Sequence, residues 1–401
     1  MTQSKKENRI IFICWLAYAI AYIGRLNYSA SIVSIIAQMG VTKDSAGLVS
    51  SCFFFAYGIG QLVNGILSGK YNSRIMVFVS LSVSAILNVY MPLCGSIELM
   101  KYIWLINGAV QSILWSTLIK TISEYVSDEK MPFAILVMST PNTFGTFLVY
   151  GLSALFVKYY TWKVTFYVAA ALLLVTAFVW LILYGNDKPL IKAETVKEKG
   201  TFRNNRPMIF CIVTIAFAGI ANGFIKDGVN TWVPSVLSEE FGVPDYFSIL
   251  LTLLLPLVAT LSAGVIKKIH EKIESHSLMN GIMFGSSALL CAGIMFFLKI
   301  HSIIPIMLCF IATSAVMAMI NNVITSMFPL DRRKLMGSGF AAGLLNTFCY
   351  VGSTITSYGL GFVSENKGWN EVFIIMLAVS LAAGLVSMVG FGFDRKAEKQ
   401  S

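Results

Sequence analysis

Residues 10–37 read IIFICWLAYAIAYIGRLNYSASIVSIIA. As a helix rising about 1.5 Å per residue, this run is about 42 Å long. That exceeds the ~30 Å hydrocarbon core of a bilayer. One charged residue, Arg25, stands near its middle, and no polar face is wide enough to meet water. The run is expected to cross a membrane. It is also too long for a signal-peptide core and lacks an obvious cleavage site, so it is expected to be retained as the first span.

Eleven similar runs follow, near 45–69, 74–95, 99–124, 132–157, 163–185, 207–235, 246–268, 277–299, 302–329, 336–363 and 370–393. The expectation is an all-α membrane protein with twelve transmembrane helices. The composition agrees. Of 401 residues, 56% are apolar and 12% charged, against roughly 45–50% and about 25% in soluble proteins. This argues against a soluble enzyme and a disordered chain. The net charge of +10 is scattered between apolar runs rather than gathered in one patch, which argues against nucleic acid as a partner. No alternating strands suggest a barrel. The seven cysteines lie within or at the ends of apolar runs, without metal-ligand or disulfide spacing. No cofactor and no metal are expected.

Basic residues favour cytoplasmic loops. Of 30 Lys and Arg, alternate loops hold 21 on one side and 6 on the other, with Arg25, Lys120 and Lys226 inside runs. The asymmetry leads to the expectation that both termini of this multi-pass protein are cytoplasmic; the membrane itself is expected to be a bacterial inner one. An odd number of spans would scramble that asymmetry.

The polar stretch 185–206 lies at mid-chain. It is expected to link an N-terminal six-helix bundle, residues 1–184, to a C-terminal one, residues 207–401. The halves echo each other. Asn142-Thr143-Phe144 recurs as Asn346-Thr347-Phe348, Trp162 as Trp369, and the intramembrane Arg25 is matched by Lys226. A shared offset near half the chain length suggests duplication. Six spans per half make the repeat parallel, with a binding site between the halves near mid-membrane.

A cation inside a bilayer is costly unless it faces a partner or a wet cavity. Arg25 has no acid near it in sequence; Lys226 has Asp227, which points about 100° away on a helix. The reading is a shared anion site, with Asp227 as a coupling residue or ion-pair partner; the alternative is a structural ion pair. Polar residues keep helical spacing around the cations: Tyr18, Tyr22 and Ser29 in span 1, Tyr57, Gln61 and Asn64 in span 2, Asn107, Gln111 and Trp115 in span 4, Asn222 and Asn230 in span 7, and Asn346, Tyr350 and Ser353 in span 11. Tyr22, Tyr57, Gln61, Gln111, Trp115, Asn222, Asn230 and Asn346 join Arg25 and Lys226 as expected substrate contacts. The bland alternative is interhelical hydrogen bonding. His270, His276 and His301 all fall in loops or at span ends, so no histidine offers a mid-membrane proton relay. The loops Asp128-Glu129-Lys130 and Asp331-Arg332-Arg333-Lys334 correspond in the two halves and are expected either to pair across them or to stay solvated.

The loop Gly65-Ile66-Leu67-Ser68-Gly69-Lys70-Tyr71-Asn72-Ser73-Arg74 resembles the signature of the major facilitator superfamily, with Gly69 where an acid is usual and Gly65, Lys70 and Arg74 in place. Tyr22-Ile23-Gly24-Arg25-Leu26-Asn27-Tyr28, Asn107-Gly108-x-x-Gln111-x-x-x-Trp115 and Lys226-Asp227-Gly228-Val229-Asn230-Thr231-Trp232-Val233-Pro234 resemble segments of its organophosphate:phosphate antiporter family. The resemblance implies a major facilitator fold that exchanges a phosphorylated metabolite for phosphate by alternating access. It departs from known bacterial members at Leu26 and Gln61, where they carry basic residues, near Pro141, where they carry a substrate-facing His, and at Lys226, where they carry Arg. A sugar acid or other carboxylate therefore stands as a second substrate class, and a transport-fold sensor as a third reading. An enzyme ranks last, because no nucleophile–base or metal-ligand cluster appears. The expected partners are a small anionic substrate and the lipid bilayer, with the protein a monomer.

Overall fold

The computed structural model describes residues 3–67, 71–185, 206–273, 275–331 and 338–398. Most of the mid-chain stretch 185–206, Lys70 and the cations at 332–334 lie outside these. Every apolar run becomes helix. Span 1 is Gln3–Met39, span 2 Lys43–Leu67, span 3 Ser73–Tyr90, span 4 Ile97–Tyr125, span 6 Trp162–Tyr184, span 7 Arg206–Phe241, span 9 His276–Lys299, span 11 Ser338–Lys367 and span 12 Trp369–Glu398. Span 5 has two parts, Met131–Met138 and Pro141–Tyr159, as does span 8, Leu254–His270 following Asp245–Thr252. Span 10, Ile303–Asn322, continues through a π-turn at Val323–Met327 into Phe328–Asp331. Among the described residues, eleven helices meet the length and hydropathy of a membrane crossing. Span 11, at 30 residues, is long enough to be the twelfth. Large apolar side chains such as Leu289, Ile182 and Ile304 point outward, as they do against lipid.

The irregularities follow from proline, which lacks the N–H for the carbonyl four residues back and clashes with it. Pro141 restarts span 5 after Thr140. Pro256 would bond to Thr252, where the first part of span 8 ends. Pro329 would bond to Thr325, inside the π-turn. Pro234 lies within the unbroken span 7 and frees the carbonyl of Asn230. That carbonyl accepts a hydrogen bond from the Tyr150 hydroxyl of span 5, 3.1 Å away.

Span 1 packs on spans 5 and 6, span 2 on span 4, and span 3 on spans 4 and 6; span 7 packs on spans 10, 11 and 12, span 8 on span 10, and span 9 on spans 10 and 12. Between these groups, span 2 lies along span 11, and spans 5 and 8 meet. Small residues allow the close crossings. A Cβ at Gly223 of span 7 would fall on the Cys349 carbonyl of span 11, and one at Gly352 on the Ile220 carbonyl. A polar seal joins the groups on the face opposite the N-terminus. Lys43 Nζ lies 2.6 Å from Glu239, and its backbone N–H donates to Glu365 at 3.0 Å. Trp369 Nε1 donates to Glu239, and Ser34 reaches Asp245.

Candidate substrate cavity

A cavity of about 340 Å³ lies between the two groups of helices, within the range of small-molecule sites. Span 1 contributes Tyr22, Arg25 and Ser29, and span 7 contributes Lys226, Asp227 and Asn230. The expected cations from the two halves therefore line one space.

Arg25 is only 6% exposed. Its guanidinium carbon lies 4.0 Å from the Tyr22 ring centroid, 4.9 Å from Tyr57 and 5.5 Å from Tyr18. Ring faces attract a cation but do not neutralise it. Among the described residues no carboxylate pairs with Arg25, and its Nε and Nη2 are buried without a hydrogen-bond partner. These two atoms form one edge of the guanidinium, spaced for two oxygens of one carboxylate or phosphate.

Lys226 differs. Its Nζ lies 3.6 Å from Asp227 Oδ1, and Ser353 of span 11 donates to Oδ2 of the same carboxylate. The long, flexible Lys226 side chain bridges the 100° between neighbouring positions and reaches the short Asp227 carboxylate, so the pair forms more readily than helical geometry alone suggests. It leaves Arg25 as the unneutralised charge on the cavity wall among the described residues.

Six expected contacts lie elsewhere. Tyr57 is fully buried behind Arg25; Gln61 donates to its hydroxyl at 3.1 Å and accepts from Asn346. This chain runs from span 11 through span 2 to the tyrosine beside Arg25. Gln111 donates to Ser84, which donates to Asn107, which donates to the Gly24 carbonyl. That network is buried among spans 1, 3 and 4, away from the cavity, because span 4 turns its polar stripe toward its own bundle. Trp115 packs on Tyr18 with the rings tilted at 36° and their centroids 4.7 Å apart. Asn222 is buried and donates to Asn321, so it holds a lining residue from behind.

The cavity also takes residues the sequence reading passed over: Asn142, Thr143 and Thr146 of span 5, Thr260 of span 8, and Asn321 and Asn322 of span 10. Two signals were present. Asn142-Thr143 served only as repeat evidence, and Asn321-Asn322 is a polar pair inside an apolar run.

At the helix ends near the N-terminus, Arg74 donates to the Leu181 carbonyl, fastening span 3 to span 6. Gly65 lies in span 2 near its end. Lys130 pairs with Glu7 at 3.5 Å, and Asp331 meets His270 and His276. Lys130 and Asp331 thus each have partners within their own half, so these two residues neither pair across the halves nor stay free in solvent, while residues 332–334 of the second loop lie outside the described ones.

Residues 14–338 match the Major Facilitator Superfamily. The membrane sensor protein UhpC of Escherichia coli is 20% identical, the match covering 96% of this chain and 91% of that protein. The glycerol-3-phosphate transporter of Bacillus subtilis is 23% identical, with 96% and 92% covered. Among solved structures, a mutant of the nucleoside transporter NupG superposes with a TM-score of 0.75 at 17% identity, over 96% of this chain and 100% of that one. The likeness to NupG is one of fold, and the two curated relatives agree with the antiporter-like motifs around Arg25 and Lys226. With its helices, its inter-bundle cavity and this match, the chain is a secondary transporter, not an enzyme, and belongs to the Major Facilitator Superfamily.

Proposed function

We propose that the protein carries a small organic anion by alternating access, and that the anion is an organophosphate exchanged for phosphate. The observation that carries the reading is Arg25: buried, caged by three tyrosines, and with one guanidinium edge lacking a partner. A site holding such a charge at mid-membrane is organised for an anion that arrives from outside the protein. The substrate's oxyanion meets Nε and Nη2 of Arg25, while Asn230, Asn142 and Asn321 offer hydrogen bonds to its hydroxyls. Binding draws span 1 toward spans 7 and 10. The halves 1–184 and 207–401 then rock about the cavity. In this reading the face bearing the N-terminus is cytoplasmic, and the Lys43–Glu239 seal closes the far side.

The relatives support the phosphate class, since one is named for glycerol 3-phosphate. One observation favours a carboxylate instead. Asp227 neutralises Lys226, so the cavity has less positive charge than a phosphate dianion suits. Exchange from phosphate-loaded proteoliposomes against sugar phosphates, glycerol phosphate and sugar acids decides between them. Phosphate homo-exchange is expected. Flux of sugar acids without it would move the assignment to carboxylates, and binding without any flux would make the protein a sensor.

A further inference from the structure

Three helix ends converge on the N-terminal face, away from the cavity. His270 ends span 8, His276 begins span 9, and Asp331 ends the short helix after span 10. We propose that these three side chains form a binding site for a divalent transition-metal ion of the zinc class.

The spacing is that of a metal site. Asp331 Oδ2 lies 2.9 Å from His276 Nε2 and 3.4 Å from His270 Nε2. The three ligand atoms all lie within 4.8 Å of one another. In a tetrahedral zinc site with bonds of about 2.0–2.1 Å, neighbouring ligand atoms stand about 3.3 Å apart. The Asp331–His270 spacing matches this, the Asp331–His276 spacing has to open from a hydrogen-bond distance by about 0.4 Å, and the remaining one lies within the 4.8 Å limit. Two imidazoles and a carboxylate favour zinc, nickel or copper over magnesium or calcium. Three protein ligands leave the fourth position to water.

Access and support are both present. His276 is buried at 2% exposure with the Phe328 ring edge-on to it. The Asp331 side chain is 47% exposed, so an ion can enter from solvent past the carboxylate. The Nδ1 of His270 is buried without a hydrogen-bond partner among the described residues. Its Nε2 faces the Asp331 carboxylate, on the side where an ion would be held. Sequence order hid the site, because the ligands come from two separate loops. Spans 8 and 10 both line the cavity. A metal held here therefore ties together two helices that rearrange if that half moves.

The test uses the full-length protein, purified in detergent without a histidine tag and titrated with Co²⁺. Wild type is expected to develop the visible d–d bands of tetrahedral Co²⁺, which Zn²⁺ displaces one for one and Mg²⁺ does not. His276→Ala and Asp331→Asn are each expected to weaken Zn²⁺ binding more than the roughly 10–100-fold of an outer-shell loss. Asp331→Asn keeps an acceptor for both imidazole N–H groups, so it tests the site even if His276→Ala does not fold. His301 adopts a positive φ of 49°, which Asn tolerates, and His301→Asn is expected to bind as wild type does. Absence of the bands in folded wild type, or bands unchanged by Asp331→Asn, would overturn the proposal and leave a hydrogen-bonded His–Asp–His cluster.

Discussion

At the scale of the residue, cost separates function from structure. A guanidinium at mid-membrane with three tyrosine faces and no counter-ion among the described residues is destabilising until an anion arrives. Arg25→Ala is therefore expected to abolish anion binding while holding or raising the thermal midpoint; a structural residue would lower it. Arg25→Lys should keep part of the binding, since Lys supplies charge without the planar edge. Losing the charge-assisted bonds, at about 1.5–3 kcal/mol each, means at least roughly a tenfold loss of affinity. Binding of phosphate or a sugar phosphate, read beside a melting curve, checks both halves of this prediction. Asp227→Asn frees Lys226 of its partner and should shift competition between phosphate and a sugar acid toward phosphate, by about tenfold if one full charge is released; an unchanged ratio would mean that Lys226 does not meet the substrate. Arg25 and Lys226 were legible in the sequence because few charges survive in a bilayer. For Gln111 and Asn222 the sequence left a cavity role and interhelical hydrogen bonding both open, since helical spacing says which polar residues share a face and not whether that face meets a cavity or a neighbouring helix; both make interhelical hydrogen bonds.

At the scale of the element, the bilayer thickness made the twelve runs readable, and the prolines explain where the helices deviate from regularity. Sequence alone could mark Pro234 and Pro256 but not the groups that answer the carbonyls they free. Asn230 and Thr252, the residues opposite those prolines, both line the cavity, so broken backbone polarity is gathered at the cavity wall. Tyr150 answers one of them across the two halves. Tyr150→Phe should cost about 0.6 kcal/mol, and at most roughly 1.7 kcal/mol, in unfolding from mixed micelles, the average and upper limit for interhelical hydrogen bonds in a membrane protein. Pro234→Ala restores the local N–H donor to Asn230. In the Pro234→Ala background the Tyr150→Phe effect should shrink toward zero, and a double-mutant cycle without coupling would show that the hydroxyl serves some other group. The close crossing of spans 7 and 11 belongs to the same scale. Gly223→Leu should prevent folding, judged by loss of a monodisperse peak after extraction, because the side chain would enter the backbone of span 11.

At the scale of the whole molecule, the two groups of helices are held together unequally. On the face opposite the N-terminus, Lys43 grips Glu239 and Glu365 while lying 5.2 Å from the Trp369 ring. On the other face, Lys130–Glu7 and the Asp331–histidine contacts stay within one half. The basic-residue partition suggested which face is which, but the seal could not be read from it, since Lys43, Glu239 and Glu365 lie far apart in sequence and meet only once spans 2, 7 and 11 are packed. If transport alternates access, this seal must open in each cycle, and its strength helps set the balance between the two states. An ion pair this exposed contributes about 0.2–1 kcal/mol, and the second contact and the tryptophan add to it, so a shift of a few-fold in population is the expected scale. Lys43→Glu places like charges together and should favour the state open on that face. Spin labels placed at the ends of spans 2 and 11 on that face should move apart in Lys43→Glu, and the charge-swapped double variant Lys43→Glu/Glu239→Lys should bring them partly back. Distances unchanged in the single variant would mean that apolar packing of spans 2 and 11, not the lysine, closes the protein there.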